Sequence, residues 1–123
     1  MGEATAKNSQ RTELARYGEA LAADYLESVG ARILERNIHI GSDEIDILAD
    51  RGSELLVVEV KSRSGARFGH GAEAVGAGKI HRMRRAATCW LAAGDEKFTA
   101  IRFFVAEVDV HERPHRLTLC EVD

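Results

Sequence analysis

Hydrophobic residues recur with a helical period in two stretches of the chain. The first runs from about Thr12 to Val29 and ends before Gly30, a residue suited to a helix C-cap. The second runs from about Lys79 to Ala93. Residues 1–11 show no such period, so we predict a flexible N-terminal tail followed by a single domain over residues 12–123. The apolar arc of the first helix is formed by Leu14, Tyr17, Gly18, Leu21, Ala22, Tyr25, Leu26 and Val29.

Between these helices the pattern changes to that of strands. Ile45, Ile47 and Ala49 alternate with polar residues and are expected on one face of a strand. Residues 54–61 are apolar on both faces, which is typical of a central strand covered on both sides. A turn at residues 50–53 joins these two strands into an antiparallel hairpin. The three predicted strands cover about Arg32–Ile40, Asp43–Asp50 and Glu54–Lys61.

The rest of the chain adds a loop and two more strands. Residues 64–78 contain five glycines and predict a long loop, and loops of this length are often functional. Strands are predicted at about 100–110 and 115–122, around a turn at Pro114. The element order is therefore α-β-β-β-α-β-β, which predicts an α/β (mixed α+β) fold with helices against a mixed sheet.

Composition narrows the class of protein further. The chain has 123 residues, 45% hydrophobic and 30% charged, which fits one soluble globular domain. No apolar run approaches the roughly 18 residues that span a bilayer, so no membrane partner is expected. The first residues are polar and lack the apolar core of a secretory signal, so we expect a cytoplasmic protein.

Three charged residues interrupt the most apolar hairpin. Strand alternation puts Glu59 and Lys61 on one face, and either plausible hairpin register brings Asp46 to that face as well. Charges on a central apolar strand are costly unless they are paired or bind a metal. One interpretation is an Asp/Glu–Lys ion-pair cluster at a strand end. The other is a site for Mg²⁺ or Mn²⁺, which prefer carboxylate oxygens and share their coordination with substrate phosphate.

Several short segments carry a resemblance to a known family. They are Gly18-Glu19, Arg36-Asn37, Glu44-Ile45-Asp46-Ile47, Val58-Glu59-Val60-Lys61-Ser62-Arg63 and Ala74-Val75 with Lys79. In this order, over about residues 12–95, the chain resembles the YraN family of small bacterial proteins. That family is similar to archaeal Holliday-junction resolvases in the PD-(D/E)xK nuclease superfamily. The resemblance implies a restriction-endonuclease-like core and a metal-dependent endonuclease, with branched or structured DNA as substrate.

The resemblance also implies roles for individual residues. Asp46 and Glu59 match the metal-binding carboxylates, to which the carbonyl of Val60 would add, and Lys61 matches the catalytic lysine. Glu19 matches a helix-borne glutamate that acts as a further ligand or orients water. The chain departs from the family pattern at Asp43, where a glycine is usual, and it lacks the arginines that often precede that position.

Positive charge is concentrated beside this cluster. Residues 61–90 hold seven basic residues and one acidic residue, a charge of +6, whereas the remainder is −9 and the whole chain −3. A basic segment next to carboxylates suits a phosphodiester substrate. The predicted DNA-contacting residues are Arg63, Arg67, Lys79, Arg82 and Arg85.

Three functions are compatible with these patterns. The leading one is a DNA endonuclease that uses Mg²⁺ or Mn²⁺, in which a homodimer would suit cleavage of two strands. The second is a non-catalytic nucleic-acid-binding module on the same fold. The third is a protein-binding adaptor, which predicts no salt-dependent affinity for DNA.

Overall fold

The computed structural model describes the backbone of residues 2–63 and 75–122, and the side chains of residues 12–63 and 75–122. Within these ranges the elements follow the predicted order α-β-β-β-α-β-β. They are α1 (Gly2–Ser28), β1 (Arg32–Ile40), β2 (Asp43–Arg51), β3 (Glu54–Arg63), α2 (Ala77–Ala93), β4 (Ala100–Asp109) and β5 (Arg116–Val122). The mixed α/β fold class is confirmed. The predicted loop at 64–78 lies mostly outside the described residues, and so does Arg67.

The strands form one mixed sheet in the order β1-β2-β3-β4-β5. All neighbours are antiparallel except β3 and β4, which run parallel, with α2 in the connection between them. The predicted turn at residues 50–53 joins β2 to β3, and Gly52 and Ser53 both take positive φ there. No helix among the described residues is long and apolar enough to cross a membrane.

Helix α1 begins at Gly2, in place of the loose tail expected before Thr12. The prediction followed hydrophobic periodicity, which a polar helical extension does not show. The N-terminal residues include alanines, glutamate and lysine, all good helix formers, and no proline. The C-terminal end of α1 lies just before Gly30, as predicted. Gly30 has φ 93°, and the N–H of Ala31 donates a hydrogen bond of 2.9 Å to the carbonyl of Leu26.

The two helices cover opposite faces of the sheet. Ala22, Ala23 and Leu26 of α1 pack on one face, against a core that includes Ile47 and Val58. The second core combines Met83, Ala86 and Ala87 of α2 with Leu48, Leu55 and Val57 on the other face. β3 therefore contributes to both cores, as its two-sided apolar sequence predicted.

The buried stripe of α1 is narrower than the predicted apolar arc. Leu14, Tyr17, Tyr25 and Val29 are exposed, whereas Gly18 and Glu19 are buried. Gly18 makes this geometry possible, because a Cβ built on it would lie 2.1 Å from Oγ of Ser62 on β3. This close approach brings the next residue, Glu19, against the sheet.

Candidate functional site

The site is at the open end of the β2–β3 hairpin. Antiparallel pairing runs from Arg51↔Glu54 to Ile47↔Val58. Asp46 and Glu59 are the next residues on the two strands, so the carboxylates lie just past the last paired residues. There the carboxylate of Asp46 accepts a hydrogen bond of 2.7 Å from the N–H of Val60. The side chain thus bridges the two strands where the ladder ends.

The alternation of β2 slips by one residue at Asp46. Ile47 contacts the core under α1, whereas Ile45 contacts the core under α2. The prediction that Ile45 shares a face with Ile47 and Ala49 is therefore wrong. Asn37 stands opposite Asp46 on β1, between the pairs Arg36↔Ile47 and Ile38↔Ile45, and has φ 51°. Its left-handed backbone, which asparagine tolerates better than most residues, accompanies the slip.

This slip leaves Asp46 among acidic groups from both faces of the sheet. Burial raises the pKa of Asp46 to about 7, and the neighbouring charges of Glu59, Glu19 and Glu44 add to the rise. The hydrogen bond from Val60 acts in the opposite direction. Concentrated negative charge of this kind favours either a proton or a cation.

Glu59 is buried and has a lysine on each side. Oε1 of Glu59 lies 3.6 Å from Nζ of Lys61, and Oε2 lies 3.2 Å from Nζ of Lys79 in the first turn of α2. The hairpin register brings Asp46 and Glu59 to the same end of β2 and β3, and Lys61 contacts Glu59 there. Lys79 joins it as a second cation, at a shorter distance than Lys61.

Glu19 approaches the same centre from α1. It is 8% exposed, and its Oε2 atom is buried without a hydrogen-bond partner among the described residues. A buried carboxylate oxygen without a partner is costly. It is a free acceptor that a water molecule or a metal ligand sphere could use.

The donor set fits a magnesium-type ion held mainly by Asp46 and Glu59. Among residues 12–63 and 75–122, no group of three or more His, Cys, Asp or Glu side chains is arranged to hold a metal. Mg²⁺ does not need one, because it usually takes one or two carboxylates and completes its octahedron with water and phosphate oxygens. Lys61 and Lys79 pair with Glu59, whereas no cation among the described residues pairs with Asp46 or Glu19. The raised pKa of Asp46 and the unpartnered oxygen of Glu19 agree with this uneven distribution of positive charge. Val60 is seen here only as an N–H donor, and ligation by its carbonyl stays a prediction.

The predicted DNA-contacting residues that the structure describes fall into two groups. Arg82, near the start of α2, is exposed. Lys79, Arg63 and Arg85 form ion pairs with buried acids, Lys79 with Glu59 as given above. Arg63 lies 3.8 Å from Glu107, and Arg85 donates two hydrogen bonds of 2.9 Å to Asp43.

Those buried acids are residues whose pairing could not be read from the sequence. Asp43 is 7% exposed and Glu107 is 1% exposed. The departure from the family's usual glycine at Asp43 was visible in the sequence, but its partner on α2 was not. For Arg63 and Arg85, a role at the DNA remains a prediction beside an observed structural role.

The fold and the site together define a small mixed α/β protein with an acid–lysine centre at the end of a central hairpin. The chain belongs to the family described as "Uncharacterised protein family UPF0102", which matches residues 18–110. This range contains Glu19, Asp46, Glu59, Lys61 and Lys79, and the membership agrees with the YraN resemblance.

Curated relatives match most of the chain. It is 44% identical over 108 residues to a UPF0102 protein of Mycobacterium tuberculosis, covering 86% of this chain and 84% of the relative. It is 40% identical over 103 residues to one from Mycolicibacterium vanbaalenii, covering 84% and 85%. A third, from Frankia casuarinae, is 45% identical over 92 residues, covering 75% and 78%.

Proposed function

We propose that this protein is a metal-dependent endonuclease that hydrolyses phosphodiester bonds in DNA. The observation that carries the proposal is the meeting of Asp46 and Glu59 at the open end of the β2–β3 hairpin, with two lysines at Glu59. The order Asp, Glu-x-Lys on such a hairpin resembles the PD-(D/E)xK nuclease superfamily. An ordinary stabilising ion pair would not need a second carboxylate of raised pKa beside it.

Asp46 and Glu59 would hold Mg²⁺ or Mn²⁺, with the carbonyl of Val60 as a further ligand. When bound, such an ion acidifies a coordinated water and offsets negative charge on the phosphate. Side chains of the protein would orient the attacking water and contact the phosphate. Glu19 has a free oxygen that would accept a hydrogen bond from the attacking water and so orient it.

The cations would act on the phosphate. Lys61 is on the same strand as Glu59 and would donate to the phosphate oxygens as their charge increases in the transition state. Lys79 and Arg82, near the start of α2, would hold the DNA backbone beside the site. We propose branched or otherwise structured DNA as the substrate and the cytoplasm as the location, with a homodimer as the arrangement that suits two-strand cleavage.

One observation favours a second candidate, a nucleic-acid-binding module without catalysis. In the described structure Glu59 is already neutralised by Lys61 and Lys79, and Arg85 is held by Asp43. If those pairs persist, the cluster is a structural element beside a basic surface. The two candidates differ in whether the protein binds Mn²⁺.

Cleavage of supercoiled and four-way-junction DNA with Mg²⁺ or Mn²⁺ tests the proposal. The proteins to compare are the wild type, Asp46→Asn, Lys61→Ala and a control, Asp24→Asn, which alters an exposed residue of α1. We expect the first two variants to lose about a hundredfold or more in rate and the control to retain full activity.

Two results would contradict the endonuclease proposal. Equal cleavage by all four proteins would reveal a contaminating nuclease. DNA binding without cleavage, together with no heat of Mn²⁺ binding in calorimetry, would favour the non-catalytic module.

A further inference from the structure

A cleft separates α1 from the β1–β2 hairpin on the face of the sheet opposite α2. Its volume is about 480 Å³, within the range of about 300–1,000 Å³ that is common for small-molecule sites. All of its described lining residues except Ala15 are polar or charged. The lining residues are Thr12, Ala15, Arg16, Glu19, Asn37, His39 and Glu44.

Several of these polar groups are unused by the protein itself. Within the described part of the chain, no hydrogen bond or ion pair engages the side chains of Arg16, Asn37 or His39. Glu19 is more than nine-tenths buried, and its Oε2 atom has no partner there either. The cleft thus has one cation, Arg16, two carboxylates, Glu19 and Glu44, and two groups that both donate and accept, Asn37 and His39. These groups offer a set of contacts for a polar ligand.

Two acidic residues connect the cleft with the carboxylate centre. Glu19 and Glu44 line it, and both lie close enough to Asp46 to act electrostatically on it. A ligand in the cleft would therefore sit next to any phosphate bound at Asp46 and Glu59. The other cations of the site, Lys79 and Arg82, belong to α2 on the opposite face of the sheet.

This arrangement selects one class of ligand. A phosphate group would pair with Arg16, and the edge of a base, which carries both donors and acceptors, would match Asn37, His39 and Glu19. The described lining residues include no Phe, Tyr or Trp, so hydrogen bonds rather than stacking on a large ring would hold the base. A volume of about 480 Å³ suits a single nucleotide and is too small for a duplex.

We propose that this cleft binds an unpaired nucleotide of the DNA strand, next to the phosphate that is cut. The inference rests on the proposed endonuclease function and narrows its proposed substrate to a duplex with a nearby unpaired strand. The duplex lies against α2, and the free strand crosses the end of the sheet into the cleft. The protein would then prefer branched DNA because the cleft holds one unpaired nucleotide.

Fluorescence anisotropy without divalent metal tests this pocket separately from catalysis. The probes are a blunt duplex and a fork with an unpaired arm of roughly five nucleotides. The proteins are the wild type, the double variant Arg16→Ala/His39→Ala, and Arg36→Ala. Arg36 is exposed and precedes Asn37 on β1, but it does not line the cleft. Because all three substituted side chains are exposed, the variants should fold, and circular dichroism checks this.

We expect the wild type to bind the fork about tenfold more tightly than the blunt duplex, as one or two charge-assisted contacts would give. The double variant should lose this preference while keeping its affinity for blunt duplex, and Arg36→Ala should keep the preference. Equal binding of both probes by the wild type would contradict the proposed nucleotide pocket. An equal loss of fork preference in the double variant and in Arg36→Ala would contradict it as well. Both results would leave the endonuclease proposal standing. A protein that binds neither probe at low salt would instead contradict the endonuclease proposal itself.

Discussion

The ammonium group of Lys79 lies 3.2 Å from Oε2 of Glu59, closer than Lys61, whose Nζ is 3.6 Å from Oε1. Glu59 is 7% exposed, and a carboxylate at that depth requires compensating charge. The two lysines provide it. A divalent cation at Glu59 would compete with them, so binding of the proposed metal would be coupled to the contact between α2 and β3.

Replacing Lys79 should therefore strengthen metal binding. We expect Lys79→Ala to raise the affinity for Mn²⁺ by roughly two- to fivefold, the effect of about 0.5–1 kcal/mol from one partly exposed ion pair. Arg82→Ala is the matched control, because it removes the same charge from the same helix without a contact to Glu59. Calorimetry without DNA measures both. An equal gain in both variants would assign the effect to general charge and not to the Glu59–Lys79 contact.

The acidity of Asp46 gives a second prediction, on the pH dependence of stability. Its pKa is raised from 3.8 to about 7, chiefly by burial. Between these values the folded protein retains a proton that the unfolded chain has released, so stability falls as pH rises through this window. We expect Asp46→Asn to be more stable than the wild type by roughly 1–3 kcal/mol at about pH 8, and nearly equal to it at about pH 4.

Urea unfolding at both pH values, with chelator present, measures this difference. Asp24→Asn serves as the control, since Asp24 is exposed on α1 and its substitution should leave the pH dependence unchanged. If Asp46→Asn and the wild type differ by the same amount at both pH values, Asp46 does not carry the proton.

These properties differ in how far the sequence could reveal them. The hairpin and its charged cluster were predictable, because Glu59 and Lys61 must share a face and both registers bring Asp46 to them. The central position of β3 followed from its apolar residues on both faces. Neither inference required knowledge of distant contacts.

The remaining features depend on backbone conformation and on contacts between distant elements. The slip at Asp46 involves the left-handed backbone of Asn37, which hydrophobic alternation does not encode. Asp43 and Arg85 lie 42 residues apart and meet only when α2 packs on the sheet. The polar start of α1 escaped detection because a solvated helix has no apolar period.

The pair between Arg85 and Asp43 leads to a third prediction. Arg85 lowers the pKa of Asp43, so the pair stabilises the fold above the ordinary pKa of 3.8, and this stability is lost as pH falls through the depressed value. We expect Arg85→Ala to destabilise the protein at neutral pH more than Arg82→Ala does, with the gap closing below about pH 4. For DNA affinity we expect Arg82→Ala to cause the larger loss.

Thermal unfolding across pH measures the stability of the two variants, and fluorescence anisotropy with duplex DNA measures their affinity. A matching double-mutant cycle with Asp43→Ala should give a coupling energy, because both single variants break the same contact. Should Arg85→Ala leave stability unchanged and weaken DNA binding as much as Arg82→Ala, the pair would not be the main role of Arg85.

The contact between Gly18 and Ser62 gives a fourth prediction, on what holds α1 and Glu19 at the site. Glycine inside a helix costs about 1 kcal/mol relative to alanine, so an unobstructed Gly→Ala change should stabilise a helix. At Gly18 the new Cβ would lie 2.1 Å from Oγ of Ser62, and β3 or α1 would have to move. We expect Gly18→Ala to destabilise the protein by about 1–3 kcal/mol, as overpacking does.

Gly78→Ala provides the matched control in α2, since the nearest atom to its added Cβ is 3.5 Å away on the flexible side chain of Arg82. It should be neutral or stabilising by up to about 1 kcal/mol. Adding Ser62→Ala to Gly18→Ala removes the obstructing oxygen and should restore much of the lost stability in urea unfolding. Because Glu19 follows Gly18, a shift of α1 in Gly18→Ala should also reduce the proposed DNA cleavage. The double variant should recover it. A Gly18→Ala protein as stable as Gly78→Ala would contradict the close packing of α1 on β3.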